Sequence, residues 1–181
     1  QGEHSKRAEL IDFLEKIAST SDKIRFDKNQ TDANLSAISF KIVYDDKDSG
    51  IVFSGIPGGH EFSSLVLAIL HAGGHTLKLD EEIQNLIKRI QKPLKFQTFV
   101  SLSCHNCPEV VQALNQFAIL NDDIENEMID GGVFPELVAQ KNIQGVPAVF
   151  LNGEPFLNGK VDTARIIDKL QSQFPDLLSS Q

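Results

Sequence analysis

The second half of the chain alternates between two hydrophobic periods, one typical of strands and one typical of helices. Short runs of apolar, β-branched and aromatic residues predict strands at residues 94–101 and 124–130. Apolar residues that recur every three or four positions predict helices over residues 108–120, 133–142 and 162–174. Residues 147–159 predict a hairpin whose tight turn is Asn152-Gly153. The predicted order is strand, helix, strand, helix, strand, strand, helix.

The first half repeats most of this order. Its pattern predicts helices over residues 5–19 and 60–74, and strands at residues 23–27, 38–44 and 51–55. Compared with the second half, it lacks the opening strand, and a loop replaces the middle helix. We infer an internal duplication; the alternative is that two α/β domains share this order by chance.

The duplication sets the expected domain boundaries. They are a first fold at residues 1–79, a linking helix at 80–93, a second fold at 94–176, and a final segment at 177–181. A sheet built without its opening strand exposes the edge of the neighbouring strand. The pattern therefore predicts that Gln1 lies inside the natural domain and that upstream sequence is absent.

Composition narrows the classes of function. The chain has 181 residues, of which 41% are hydrophobic and 23% charged, as in ordinary folded domains. Its net charge of −8 argues against a nucleic-acid partner, which needs clustered Lys and Arg. No apolar run reaches the roughly 20 residues that span a bilayer, and no signal peptide is visible. We expect a cytoplasmic location without membrane contact, although a start at Gln1 leaves open a leader removed upstream.

The candidate chemistry lies in residues 101–110, which contain the only two cysteines. Cys104 and Cys107 are separated by His105 and Asn106, between a predicted strand and a predicted helix. A helix N-terminus presents unpaired N–H groups and a partial positive charge, which favour a thiolate. We expect Cys104 to be the exposed nucleophile and Cys107 the more buried resolving thiol. His105 and Asn106 would tune the pair, unless His105 only points into solvent.

Two other interpretations of the cysteine pair remain open at this point. Zinc usually takes four ligands, commonly as two pairs, and the chain has no second pair at ligand spacing. His71 and His75 lie four apart, but Gly73-Gly74 ends the predicted helix between them. A purely structural disulfide across three residues would close a very small loop and add little stability. A redox dithiol is therefore favoured, and no metal site is expected.

Four stretches together resemble a known family, namely SLSCHNCPEVVQAL, IDGG, GVPAVF and GGHEFSSLVLAIL. The chain resembles the N-terminal domain of the alkyl hydroperoxide reductase F subunit over essentially its whole length. The Cys-His-Asn-Cys-Pro run is fairly specific to that family. The resemblance implies an α/β chain of two tandem thioredoxin-like folds with mixed central sheets. The first fold lacks its opening strand, and only the second keeps the cysteine pair.

The resemblance also implies an enzyme domain that relays electrons. A flavin- and NADH-dependent reductase module, normally C-terminal in the same polypeptide, would reduce the Cys104–Cys107 disulfide. The dithiol would then reduce a peroxiredoxin, the C subunit, which reduces peroxide. This chain carries no dinucleotide-binding glycine motif. FAD and NADH therefore belong to an absent module, and residues 177–181 are expected to be the start of the linker to it. This chain alone would bind no cofactor and would not oxidise NADH.

The resemblance assigns further positions. In thioredoxin-like folds a cis-proline faces the cysteine pair and its neighbours bind the partner's extended chain, which points to Val146 and Pro147. Glu61 is either a simple acid in a first helical turn or a group that reaches the dithiol and handles a proton for Cys107. The alternative functions are a free-standing glutaredoxin-like protein disulfide oxidoreductase and a non-catalytic adaptor.

Overlaying the two halves indicates what the first one lacks. Cys104 and Cys107 fall near Glu3 and Lys6, and Pro147 falls near Ile38. The first fold is therefore expected to be redox-inactive and to serve in packing and partner contact.

Overall fold

A computed structural model describes residues 4–29 and 32–177; Glu3 and residues 178–181, on which two sequence-based predictions fall, lie outside them. The strands are β1 Ser39–Tyr44, β2 Lys47–Ser54, β3 Leu94–Val100, β4 Ile124–Asp130, β5 Ala148–Leu151 and β6 Glu154–Asn158. The helices are α1 Arg7–Ala18, α2 Phe62–Ala72, α3 Glu81–Lys88, α4 Cys107–Leu120, α5 Pro135–Gln140 and α6 Thr163–Gln173. Short 3₁₀ turns occupy Gly59–Glu61 and Pro175–Leu177. In this part of the chain, no helix is long and apolar enough to cross a membrane.

All six strands belong to one mixed sheet, in the order β1-β2-β4-β3-β5-β6. β3 and β4 run parallel, and the β5–β6 hairpin adds antiparallel to β3. The β1–β2 hairpin of the first half adds to the other side through a parallel pairing of β2 with β4. We expected a central sheet in each half; the structure instead joins the strands of both halves into one.

The alternation of side chains along the strands separates two layers of core. Alternate residues of the central strands pack under α2, α4 and α6 in the larger cluster, which includes Phe53, Phe96 and Met128. The residues between them face α5 in a smaller cluster, which includes Phe99, Ile129 and Phe150. Strands that are buried on both faces need apolar residues at consecutive positions, as residues 148–151 show.

The elements predicted for the second half are confirmed. The strand at 124–130 has the predicted bounds, and the strand and helices at 94–100, 107–120, 135–140 and 163–173 differ by a few residues at their ends. Asn152 and Gly153 both have positive φ in the hairpin turn, as the predicted tight turn requires. Asp162 caps α6 by accepting a hydrogen bond from the Arg165 N–H at 2.9 Å.

The predicted strand at residues 23–27 is wrong. A strand needs a neighbour that satisfies its backbone groups, and these residues pair with no strand of the described chain. The first-half hairpin is also tighter than the pattern indicated, since β2 begins at Lys47. Asp45 and Asp46 form its two-residue turn, both with positive φ, as in a type I′ turn.

The linking helix predicted at residues 80–93 is shorter, because α3 ends at Lys88. The side-chain amide of Asn121 donates hydrogen bonds to the carbonyls of Ile87 and Ile90, each at 2.8 Å. These bonds satisfy carbonyls at the end of the helix and hold both buried isoleucines against the body. A side chain distant in sequence thus ends the helix earlier than Pro93 would.

The joint between the two halves depends on Gly50. The register of β1 and β2 jumps between Ile42 and Val43, so that Ser49 and Gly50 form a bulge. Gly50 has a φ of +75°, and a Cβ built on it would lie 2.5 Å from the Ile124 carbonyl oxygen. Because Ile124 opens β4, only glycine lets β2 approach β4 this closely.

Gly50→Ala should therefore lower the free energy of unfolding by more than left-handed backbone strain alone, by about 3 kcal/mol against about 1–2 for strain. Gly159→Ala is the matched control, since Gly159 has the same φ of +75° with nothing within 4 Å of the added Cβ. Urea unfolding of both variants under oxidising conditions measures the difference. Equal losses in the two variants would show that the β2–β4 approach does not require glycine.

Candidate functional site

The cysteine pair lies where β3 leaves the sheet and α4 begins. Cys104 and Cys107 form a disulfide with Cα atoms 5.5 Å apart. Asn106 is the N-cap of α4, Cys107 is its first residue, and Pro108 follows, where a missing N–H costs nothing. Cys107 is fully buried, whereas Cys104 is half-buried. The predicted difference in exposure between the two thiols is confirmed.

The loop before β5 lies against Cys104. The Val146–Pro147 peptide bond is cis, as the resemblance implied. The Val146 carbonyl oxygen lies 3.8 Å from Cys104 Sγ. Val146 is half-buried and Pro147 is buried, so the loop presents a backbone carbonyl rather than the proline ring to the edge of the site. The structure therefore places the Val146–Pro147 segment beside Cys104 Sγ.

The first half of the chain contacts the other side of the cysteine loop through the 3₁₀ turn at Gly59–Glu61. The His60 N–H donates a hydrogen bond to the Leu102 carbonyl at 2.9 Å. Gly59 has a φ of +54°, and a Cβ there would lie 2.5 Å from the same oxygen. A side chain at position 59 would push the two segments apart, so the sequence Gly-Gly-His-Glu fits this contact.

The His105 ring contacts another aromatic ring as well as solvent. Its ring lies 4.1 Å from the His60 ring, centroid to centroid, with the planes tilted by 54°. Both imidazoles remain exposed at the rim of the site. Asn106 is also exposed, and its side chain forms no capping hydrogen bond. Of the two spacer residues, His105 is thus the one that an aromatic neighbour holds in place.

Glu61 is buried beside this contact. Its side chain has no exposed surface, and Oε2 accepts a hydrogen bond from the Ser64 hydroxyl at 2.6 Å. Within the described residues, Oε1 has no hydrogen-bond partner. Burial raises the pKa of Glu61 to about 7, although the bond from Ser64 favours the ionised form. Residues on both sides of Glu61 contact the second half, since His60 meets His105 and Ser64 meets Gln112 of α4.

The arrangement combines a disulfide at a helix N-terminus with a buried carboxyl group whose pKa is raised to about 7. Of the residues predicted from sequence, Cys104, Cys107, His105, Val146 and Pro147 lie together, and Glu61 lies between contacts to the same loop and helix. In residues 4–29 and 32–177, no group of three or more His, Cys, Asp or Glu side chains could hold a metal ion.

The sequence interpretation missed His60, Gly59 and Ser64. The signal was present, because GGHEFSS opens a helix with two glycines and a polar first turn. The pattern does not say which surface this turn contacts.

Gly55 and Gly59 have packing roles and form no phosphate cradle. A Cβ on Gly55 would lie 2.8 Å from Asp130 Cβ, and one on Gly59 would strike the Leu102 carbonyl. Because these two glycines lack a side chain, Asp130 and the Leu102 carbonyl can pack closely against them. The segment therefore does not fit a dinucleotide.

Comparisons with known proteins agree with this geometry. A family model described as a thioredoxin domain matches residues 94–172. The solved N-terminal domain of alkylhydroperoxide reductase from Enterococcus faecalis superposes with a TM-score of 0.84 at 36% identity. The superposition covers 92% of this chain and 84% of that domain. The second half thus has a thioredoxin-like fold, and the likeness extends across the first half.

Longer relatives carry the same region. The alkyl hydroperoxide reductase F subunit of Escherichia coli is 42% identical over 168 residues, which are 93% of this chain and 32% of that protein. A Bacillus subtilis protein named NADH dehydrogenase is 40% identical over 171 residues, which are 94% of this chain and 33% of that protein. The chain therefore spans about a third of the length of the curated relatives it matches.

The raised pKa of Glu61 predicts a pH-dependent stability. Between the unfolded pKa near 4.5 and the folded pKa near 7, the folded state binds more protons. The free energy of unfolding should then fall as pH rises through this window, by up to about 3 kcal/mol. Glu61→Gln removes the titration, so its stability relative to the unmodified protein should rise by that amount between about pH 5 and pH 8.

Urea unfolding at the two pH values measures this change. Glu109→Gln, which alters a carboxylate at the start of α4, is the control and should leave the dependence in place. If the free energy of unfolding of Glu61→Gln changed with pH in parallel with that of the unmodified protein, the raised pKa of Glu61 would be contradicted.

Proposed function

The chain belongs to the family formed by the N-terminal domains of alkyl hydroperoxide reductase F subunits, and we propose that its cysteine pair relays electrons by thiol–disulfide exchange. A flavin- and NADH-dependent reductase module of the longer protein supplies the electrons. A peroxiredoxin, the C subunit, receives them and reduces peroxide. The observation that carries the proposal is the disulfide between a half-buried Cys104 and a buried Cys107 at a helix N-terminus.

The exchange proceeds in two steps. The Cys104 thiolate attacks one sulfur of the partner's disulfide, a Cys104–partner bond forms, and the other partner sulfur leaves. The Cys107 thiolate then attacks Cys104 Sγ, the Cys104–Cys107 bond forms, and the first partner sulfur leaves. Two electrons pass from the dithiol to the partner, and the two thiol protons end on the partner's sulfurs. The difference in exposure supports these roles, because of the two cysteines only Cys104 is accessible to a partner.

Glu61 handles the proton of Cys107 in this scheme. Its carboxylate takes the proton when Cys107 attacks, and passes it to the departing thiolate. A pKa of about 7 suits a group that must both accept and release a proton near neutral pH. The Oε1 atom supports the role, since it is a buried carboxylate oxygen without a partner among the described residues and is available for a transient bond.

The partner's chain lies along the Val146–Pro147 segment. The Val146 carbonyl borders Cys104, and a groove of about 600 Å³ opens next to it, lined in part by Ile143, Phe150 and Pro155. An extended peptide that carries a disulfide fits such a groove beside the Val146 carbonyl. His105 and Asn106 are exposed between the two cysteines, where they tune the dithiol and contact the partner.

The cofactors of the reaction belong to the rest of the longer protein. The relatives are about three times the length of this chain, and one is named NADH dehydrogenase. FAD and NADH therefore act in that other part, and this chain does not oxidise NADH by itself. The complete reaction takes place in the cytoplasm.

Cys107→Ser should trap the reaction at its first step. With no resolving thiol, Cys104 stays joined to the partner, and a mixed disulfide accumulates that reductant releases. Non-reducing electrophoresis and mass spectrometry of the linked peptides detect it. Cys104→Ser is the control and should form no adduct; an adduct through Cys107 would reverse the assigned roles.

A rate comparison tests the partner. The reduced chain should react much faster with an oxidised peroxiredoxin than with insulin, because the groove beside Cys104 is proposed to bind the extended chain of that partner. Stopped-flow or gel assays with each oxidant measure the two rates. Equal rates would favour a general, glutaredoxin-like disulfide oxidoreductase, and no reaction with either would leave the adaptor role.

A further inference from the structure

A line of buried and half-buried hydrogen bonds joins Glu61 to α4. The Ser64 hydroxyl lies 2.6 Å from Glu61 Oε2, and the Gln112 Nε2 lies 3.3 Å from the same hydroxyl. Ser64 has no exposed surface, and Gln112 is half-buried. Gln112 follows Cys107 by five residues on the same helix. The line therefore starts at the carboxyl group and ends on the helix that carries the resolving cysteine.

The direction of these bonds is fixed by chemistry. An ionised carboxylate can only accept, so the single hydroxyl proton of Ser64 is used on Glu61. The Ser64 oxygen can then only accept from Gln112, which must present its amide N–H. The Gln112 amide nitrogen also lies 3.2 Å from the hydroxyl of Ser63, so both amide protons have partners. A hydroxyl that accepts one bond while it donates another is a stronger donor.

We infer that Ser64 and Gln112 are positioning residues for Glu61, which hold Oε2 and leave Oε1 as the oxygen that exchanges the proton. The inference rests on the proposed role of Glu61 in thiol–disulfide exchange. Each of the two residues acts through the carboxyl group. Because α4 carries both Cys107 and Gln112, the line ties the acid to the helix of the resolving cysteine.

The line also limits how far burial can raise the pKa of Glu61. Burial disfavours the carboxylate, and the Ser64 bond is the interaction that opposes it. Other titratable groups at this contact are His60 on the same turn and His105 on the facing loop, and α4 carries Glu109 exposed in its first turn. No charged residue lies on α2 between Phe62 and Leu70. The hydroxyl is thus the main device that keeps Glu61 able to lose its proton near neutral pH.

The test follows the Glu61 carboxyl carbon by NMR in the oxidised chain, across about pH 4 to 9. Ser64→Ala should move the Glu61 titration up by about one pH unit, because it removes one hydrogen bond to the charged form. Gln112→Met keeps the side-chain volume but loses both amide bonds, and should move the titration in the same direction by less. In the insulin reduction assay, the rising limb of the pH–rate profile should shift by the same amounts.

Ser63→Ala is the matched control. Ser63 is exposed, shares Gln112 with Ser64 and has no hydrogen bond to Glu61, so its loss should move neither the titration nor the profile. An unchanged Glu61 titration in both Ser64→Ala and Gln112→Met would overturn the inference. If the unmodified chain reduces neither insulin nor a peroxiredoxin, the proposed function fails, but the carboxyl titration still reports on the line of hydrogen bonds. If Ser64→Ala lowers stability, Gln112→Met still tests the inference, because Gln112 is only half-buried.

Discussion

The approach of Gly59 to the Leu102 carbonyl is the contact on which the geometry of the redox site depends. It brings the 3₁₀ turn of the first half against the loop that holds Cys104, with the His60 N–H as the hydrogen-bond donor. Three consequences follow from one close approach. His60 meets His105, Glu61 loses contact with water, and Ser64 comes within reach of α4. A side chain at position 59 would weaken all three together.

The single sheet makes that contact rigid. The β1–β2 hairpin is paired to β4 over four residue pairs, and α2 packs its buried Leu65 and Ala68 into the same core as α4. The turn at Gly59–Glu61 lies between β2 and α2, so both of its ends are anchored in the shared body. A loop between two independently moving domains could not keep a carboxyl group dry at this contact.

The parts that the sequence predicted are those decided by local patterning. Hydrophobic period and turn chemistry placed the elements of residues 94–174, and the cysteine spacing indicated the site. The strand expected at residues 23–27 failed because local propensity cannot supply the neighbour that a strand needs. The merged sheet and the burial of Glu61 depend on which surfaces meet in the folded chain. The polar residues of GGHEF are as compatible with an exposed first turn as with a buried one.

The first half has no cysteine, but it can still contribute to the chemistry of the second half. A carboxyl group placed on α4 or its loop would lie nearer to water at the rim, as Glu109 does in the first turn of α4. To raise its pKa toward 7, the group must be enclosed from outside the helix, and a second body packed on α4 provides the enclosing surface. The cost of burying Glu61 is offset by the apolar packing of α2 on the same face, where Leu65 and Ala68 are each only 1% exposed. The half without cysteines thus contributes a buried acid at its contact with the cysteine loop and α4.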